Sequence, residues 1–169
     1  MPLLRPFALL LAALALVGCA TEKVTHIASI YVEAPTSTTL TMRKTVTLPV
    51  SGIQIPIMAK ELTLAEDLLS TAPIEAGPAD LRQVYLLVNL NGAGARNIMD
   101  ITRQARGKHL VLVVNEAAVG IMPIDQQIVD GKLAFTVEQK GMDNRAAALF
   151  LSEKLNASLV IIRKELEQK

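Results

Sequence analysis

The chain contains a single cysteine, Cys19, whose thiol is the side chain best suited to covalent chemistry. It follows an unbroken apolar stretch, residues 7–17, and the short segment before that stretch carries one positive charge at Arg5. An apolar run this short falls well under the ~20 residues that cross a bilayer as a helix. Its length and its basic leading segment are typical of a secretory signal. The sequence therefore predicts that residues 1–18 form a signal peptide that the mature protein lacks.

The residues that end this segment, Leu16-Val17-Gly18-Cys19, resemble the lipobox of bacterial lipoproteins. The resemblance implies that the Cys19 thiol receives a diacylglyceryl group, that cleavage precedes Cys19, and that the new amino group is acylated too. An ordinary signal peptide followed by a chance cysteine is the alternative. Because two or three acyl chains hold a protein on a membrane durably, we expect a lipid anchor to the bacterial envelope, facing the periplasm. Ala20 replaces the aspartate of an inner-membrane retention signal, which slightly favours the outer membrane.

The remaining residues show no catalytic constellation, so the sequence predicts a non-enzymatic protein without a cofactor or a metal. His26 and His109 lie in strand-like segments and have no second ligand at metal-binding spacing. The turn Gly92-Ala93-Gly94 lacks the third glycine of a dinucleotide-binding loop, so a helix start is the better interpretation. Glu66 and Asp67 are adjacent acids, which are typical of the first turn of a helix.

Composition narrows the partners of the mature chain. Removing Arg5 from the 17 Lys and Arg residues leaves 16, which balance the 16 Asp and Glu residues. A net charge of zero gives no electrostatic case for nucleic acid as a partner. Aromatic residues make up only 3% of the chain, which argues against a site that stacks bases or sugars. We therefore expect a membrane contact through the anchor and a protein partner of unknown identity.

The hydrophobic pattern predicts an α+β fold: a mostly antiparallel sheet packed with two main helices, preceded by a β-rich N-terminal part. Strands are predicted at 26–33, 81–90, 109–114, 117–124, 133–137 and 158–162, with a hairpin whose arms are 45–50 and 53–57. Pro49 and Pro56 cannot donate to a ladder, so at least one hairpin arm is predicted to be an edge strand.

Three helices are predicted from capping and periodicity. A capping-box pattern at residues 63–66 opens a short helix that Pro73 ends. Apolar residues at helical spacing indicate a second helix over 95–105. Asp143 or Asn144 can cap a final helix that starts near residue 146.

Residues 62–159 resemble the head part of the first periplasmic domain of the SecD and SecDF subunits of the protein translocase. The stretches that keep the family's order and spacing are 62–68, 84–90, 94–95, 100–103, 107–116, 123–124, 129–132 and 146–155. The stretch 107–116 is the most similar of these to the family pattern, although Glu116 replaces the family's turn glycine. Together with the predicted signal peptide and lipid anchor, the resemblance predicts three parts: a lipoprotein signal peptide, 1–18; a lipidated N-terminus with a β-rich segment, 19–61; and a SecD head-like α+β domain, 62–169.

The resemblance also frames the function. SecD couples the proton gradient to export through membrane helices, and this chain has no comparable apolar segment after residue 18, so it is not expected to act as a proton-driven motor. We expect a membrane-anchored, protein-binding module of the envelope, accessory to export or to the handling of translocated polypeptides. The alternative is a structural or assembly lipoprotein with one dedicated envelope partner. A hydrolytic or metal enzyme is the least expected.

Overall fold

The computed structural model describes residues 23–168, so Cys19 and the predicted signal peptide lie outside the described residues. The described part contains eight strands and two α-helices. The strands are β1 (Ala28–Val32), β2 (Arg43–Thr47), β3 (Gln54–Met58), β4 (Leu68–Ala76), β5 (Gln83–Leu90), β6 (His109–Val114), β7 (Ala117–Pro123) and β8 (Lys132–Val137). The helices are α1 (Gly92–Gln104) and α2 (Asn144–Glu167).

Six of the strands form one antiparallel sheet in the order β1-β6-β7-β8-β5-β4. Strands β2 and β3 form a separate two-stranded hairpin, which is the hairpin that the sequence predicts. The predicted α+β class, with an antiparallel sheet, two main helices and a β-rich N-terminal part, is confirmed. Since β1 belongs to the same sheet as β4–β8, the N-terminal part is built into the main sheet. The division of the chain at residues 61 and 62 stays a prediction.

The two helices cover one face of the sheet because the strands present apolar side chains to that face at every second position. In β5, Leu86 and Val88 are fully buried while Leu87 between them is only half-buried. Phe135 from β8 and Ile98 from α1 join the same core, and both are fully buried. This helix-covered core is the larger of two hydrophobic clusters.

The hairpin packs on the opposite face and makes a second, smaller core. Ile55 and Ile57 of the hairpin and Leu48 at its tip meet Tyr31 and Val111 of the sheet, and all five side chains are buried. Strand β6 is therefore covered on both faces, as its almost continuous apolar sequence predicts. The hairpin contacts β1 and β7, which leaves the same face of β8, β5 and β4 without a covering layer in the described chain.

Both helices begin where their caps predict. The Asn91 side chain accepts hydrogen bonds from the N–H groups of Ala93 and Gly94, so the glycine turn is a helix start, as interpreted. The Asp143 side chain accepts from the Ala146 N–H at 2.7 Å and caps α2. Each cap satisfies N–H groups that a helix cannot satisfy internally.

The predicted helix over 63–73 is wrong. Only a 3₁₀ turn, Ala65–Asp67, forms there, and its cap is the Asp67 carboxylate, which accepts from the Leu64 N–H. From Leu68 the backbone pairs with β5 instead, and Pro73 occupies a strand position. The capping signal is local, and pairing over nine residues of strand overrides it.

The predicted last strand over 158–162 is also wrong, because this segment continues α2. Leu151, Leu155 and Leu159 recur every four residues and are buried against the sheet. The β-branched run that follows Leu159 has strand propensity, but the helix already packed by these leucines extends through it.

Candidate functional site

The described chain has four strand edges that lack a full neighbouring strand: β4 and β1 at the ends of the main sheet, and the outer sides of β2 and β3 in the hairpin. On β3, Pro56 has no outward N–H, and its carbonyl accepts from the Ala34 N–H at 2.8 Å. Such an edge presents N–H and C=O groups that can pair with another polypeptide. Which of these edges is open therefore decides where an extended partner can bind.

The β4 edge is sealed by side chains of α2. The Asn156 amide pairs with the backbone of Thr71 in both directions: its Oδ1 accepts from the Thr71 N–H at 2.8 Å, and its Nδ2 donates to the Thr71 carbonyl at 2.8 Å. Two residues farther on, Pro73 has no N–H to offer. At the start of the strand, the Arg163 guanidinium donates to the carbonyl of Leu69. A second strand cannot align here without breaking these bonds.

The β1 edge is interrupted in its middle. The outward N–H of Ile30 donates to the Thr63 carbonyl at 3.3 Å, and the Ile30 carbonyl accepts from the Leu62 N–H at 2.7 Å. Beyond the end of β1, the Ala34 N–H donates to the Pro56 carbonyl at 2.8 Å, which joins the strand to the hairpin. This edge therefore has no uninterrupted stretch for a partner strand.

The β2 edge is open. In the hairpin, the Leu48 N–H donates to the Ile53 carbonyl. Because hydrogen-bonded positions alternate along an antiparallel pair, the even-numbered residues of β2 are those whose backbone groups bond to β3. The backbone groups of Arg43, Thr45 and Thr47 consequently point away from β3. Within residues 23–168 these outward groups have no hydrogen-bond partner, and the Thr45 and Thr47 side chains are exposed. The sequence predicts an edge strand in this hairpin from its prolines, and the open edge lies on the arm opposite Pro56.

A groove of about 740 Å³ runs beside the open edge of β2. Its lining combines the edge itself with the neighbouring surface of the main sheet and the turn after β6. The lining residues are Ile27, Ser29, Tyr31, Lys44, Thr45, Val46, Val113, Asn115 and Glu116. A strand that pairs with β2 would place every second side chain over this groove, because side chains alternate between the faces of a strand.

Two features hold the groove in shape. The Lys44 ammonium lies 4.1 Å from the centre of the Tyr31 ring, which fixes the charge over an aromatic face. The turn at the end of β6 places Asn115 and Glu116 at φ values of 48° and 68°, in the left-handed region. The Asn115 side chain bridges to the N-terminal segment, accepting from the Ile27 N–H at 2.9 Å and donating to the Thr25 carbonyl at 2.8 Å.

The hairpin tip is fastened to the main sheet by Glu138, just after β8. Its carboxylate accepts from the N–H groups of Val50 at 3.0 Å and Ser51 at 2.9 Å. Partial burial raises the pKa of Glu138, but the hydrogen bonds from Ser51 and Val50 outweigh it, so the pKa lies below its ordinary value of 4.5. The charged form of this carboxylate therefore stabilises the position of the hairpin.

Neither His26 nor His109 lines the groove, and each contacts a different partner. His26 contacts the Phe150 ring edge-on, with 6.1 Å between the ring centres. His109 Nδ1 lies 2.7 Å from a carboxylate oxygen of Glu33, 76 positions away in the sequence. The sequence pattern did not indicate this pair because its members are distant along the chain. Among residues 23–168 no group of three or more metal-ligating side chains comes together.

No helix in the described range is both long and apolar enough to cross a membrane. No protein-family model matches this chain. No curated protein matches it either.

Among solved structures, the chain is similar to SecDF. One match is the crystal structure of SecDF in a super-membrane-facing form, with a TM-score of 0.51, 14% identity, and coverage of 79% of this chain and 18% of that one. Another is a structure of SecDF described as a membrane component that enhances protein export, with a TM-score of 0.49 and 14% identity, covering 90% of this chain and 67% of that one. The first of these matches confirms the resemblance to SecDF at the level of fold. The chain spans about a fifth of the SecDF chain in that match.

Proposed function

We propose that this protein is a membrane-anchored lipoprotein of the bacterial envelope that binds extended polypeptides by strand addition to β2, without catalysis. The observation that carries the proposal is the contrast among the strand edges of the described chain. Side chains or backbone bridges obstruct β4 and β1, while β2 keeps the outward groups of Arg43, Thr45 and Thr47 available. An edge that is open beside a groove supplies both backbone pairing and side-chain contacts, which are the two components of β-augmentation.

The groove favours a particular kind of client. Its floor includes the buried side chains Tyr31 and Val113, while Thr45 and Lys44 form one wall. Strand addition reads mainly the backbone of the client, so many sequences fit as long as they are unfolded. This tolerance suits a protein that handles polypeptides emerging across a membrane, and the fold likeness to SecDF agrees with a role near protein export. That role rests on analogy, since one fold serves many functions.

The anchor in this proposal is Cys19, acylated after removal of residues 1–18. Replacing Cys19 with Ser should move the protein from the membrane fraction to the soluble periplasmic fraction. The measurement is fractionation combined with intact mass, because acylation adds the mass of the lipid. A protein that keeps its membrane fraction after Cys19→Ser would contradict the anchor.

Client binding is tested by titration with a permanently unfolded protein, reduced and carboxymethylated lactalbumin, and with the native lactalbumin as the folded control. We expect binding of the unfolded form only. Thr45→Pro should abolish it, because proline removes an outward N–H and blocks pairing at the centre of the edge. Thr45→Val keeps the N–H and should bind as the parent does.

Thr47→Pro provides a second blocked edge in case Thr45→Pro disturbs the hairpin, and the circular-dichroism spectrum of each variant shows whether it folds. If folded Thr45→Pro and Thr47→Pro variants bind as well as Thr45→Val, the β2 edge is not the binding site. Crosslinking from native membranes, followed by mass spectrometry, then separates the two classes of partner. Heterogeneous clients or translocon subunits support the proposal, whereas one stoichiometric envelope protein would make this chain a dedicated assembly lipoprotein.

A further inference from the structure

A second groove, of about 600 Å³, lies at the end of the molecule where the described chain begins. It is bounded by the N-terminal segment, the start of β1, the 3₁₀ turn before β4 and the last turns of α2. Its lining residues are Lys23, Val24, Ile27, Ser29, Leu64, Ala65, Glu66, Ile162 and Glu165.

The rim of this groove exposes large apolar side chains close to one another. Ile27 is 53% and Leu64 43% exposed. Leu166 is 45% exposed and lies one helical turn beyond Ile162, on the same side of α2. Exposed apolar residues that cluster rather than scatter mark a surface that contacts another apolar phase.

The length of chain before the groove limits what that phase can be. Lys23 lines the groove and lies only four positions after Cys19. At ~3.5 Å per residue, the acylated cysteine can lie no more than about 14 Å from Lys23. Acyl chains that enter the bilayer at that distance hold this end of the domain against the membrane surface.

We propose that the groove lined by Val24, Ile27, Leu64 and Ile162 is the membrane-facing surface of the anchored protein, with its apolar rim in the headgroup region. The inference rests on the lipid anchor in the proposed function. The groove carries Lys23 together with Glu66 and Glu165, so it has no excess of positive charge. Contact is therefore driven by the apolar rim and does not depend on anionic lipid or on low salt.

This orientation also places the client groove. Ile27 lines both grooves, so the open edge of β2 begins next to the membrane-facing end of the molecule. A polypeptide paired with β2 would consequently lie beside the bilayer surface.

The test uses the full-length lipoprotein, expressed with residues 1–18 and reconstituted in phosphatidylcholine vesicles. Leu64→Cys and Leu166→Cys each introduce a thiol for an environment-sensitive fluorophore at the rim. Leu81→Cys is the matched control: it is an exposed leucine that follows the far end of β4, where Ala76 lies about 26 Å from Leu68 at ~3.3 Å per residue. Circular dichroism shows that each labelled variant is folded.

We expect blue-shifted emission and quenching by a bilayer-embedded quencher at positions 64 and 166, unchanged by high salt, and neither effect at position 81. Equal exposure at all three positions in protein with an acylated Cys19 would overturn this inference and leave the anchor intact. A purified chain whose mass shows no acylation and whose Cys19 reacts with the fluorophore would instead overturn the anchor, and the membrane-facing surface with it.

Discussion

Strands β4 and β2 are each the outermost strand of an antiparallel pair, but the outer edge of β4 is hydrogen-bonded to α2 and the outer edge of β2 is not. On β4, the outward N–H and C=O of Thr71 are both bound by Asn156, and Pro73 removes the next donor. On β2, the equivalent outward groups of Thr45 have no hydrogen-bond partner within the described residues. Helix α2 packs along β4, whereas no strand or helix among residues 23–168 is hydrogen-bonded to the outer edge of β2.

The difference shows that an edge is closed by particular residues rather than by its position in the fold. Natural proteins obstruct sheet edges because an open edge invites pairing with other chains. Here side chains of α2 obstruct the edge of β4, next to the large core. Within the described residues, no group pairs with the edge of β2, next to the groove. An edge that is left open where others are closed is the observation behind the proposal that β2 binds a partner by strand addition.

The largest contrast is expected from proline placed at the outward position of each edge. Thr71→Pro removes the N–H that donates to Asn156 and the buried hydroxyl that donates to Ser152. The substitution should lower the free energy of unfolding by about 3 kcal/mol. Thr45→Pro removes a donor that faces solvent and should lower it by less than about 1 kcal/mol. Urea unfolding of both variants measures this, and equal losses would mean that the two edges do not differ.

Removing the Asn156 side chain, which obstructs the β4 edge, without changing the strand itself is expected to have the next largest effect. Asn156→Ala leaves the N–H of buried Thr71 without a partner, while the Thr71 carbonyl keeps only the bond from the Ser152 hydroxyl, and the loss should cost about 1–3 kcal/mol. It should also expose β4 to pairing, so the variant is expected to self-associate more than the parent. Urea unfolding and sedimentation report the two effects. The control is Gln104→Ala, which removes an exposed amide of α1 that makes no hydrogen bond within residues 23–168. An unchanged stability would show that solvent replaces Asn156 without cost.

Acid is expected to loosen the hairpin and leave the β4 edge unchanged. Because the folded-state pKa of Glu138 lies below 4.5, its contribution to stability is complete above pH 4.5 and is lost as the pH falls through the lowered value. Amide exchange at Val50 and Ser51 should therefore accelerate in this acid range, while exchange at Thr71 should not. Glu138→Gln should remove the pH dependence at the tip. Acceleration that persists unchanged in Glu138→Gln would assign it to another group.

The smallest effect is expected from shortening a side chain on the open edge. Thr45→Ala removes an exposed side chain that makes no hydrogen bond within residues 23–168, and the free energy of unfolding should change by no more than about 0.5 kcal/mol. Client binding through the backbone should also persist. A loss of binding in this variant would indicate that the client reads the Thr45 side chain rather than the strand edge.

Much of the fold follows from local pattern, and the two errors have a common cause. The alternation in β5, the apolar run of β6 and the capped start of α1 identify those elements because each signal lies within a few residues. The segment before Pro73 and the segment after Leu159 carry signals for the wrong structure. In both, packing with residues far away in the sequence decided the outcome: β5 for the first, and the core below α2 for the second.

The candidate site could be predicted only in part. Pro56 indicates an edge strand in the hairpin, because a proline N cannot donate to a neighbour. It does not reveal that the Ala34 N–H, just after β1, donates to the outward carbonyl of Pro56. This bond obstructs the outer edge of β3 and leaves β2 as the open arm. The pair of His109 and Glu33 was likewise outside the reach of spacing arguments, since the fold alone brings these side chains together.

The sequence by itself determined the α+β class and the positions of most elements, because periodicity and caps act over short stretches of chain. It also predicts the acylation of Cys19 from a pattern that is equally local. Only the tertiary structure decided which edges are closed and which is open. Closing an edge requires a side chain such as Asn156 to meet a backbone such as that of Thr71, 85 positions earlier. No local pattern encodes that meeting, because it depends on how the helix and the sheet pack against each other.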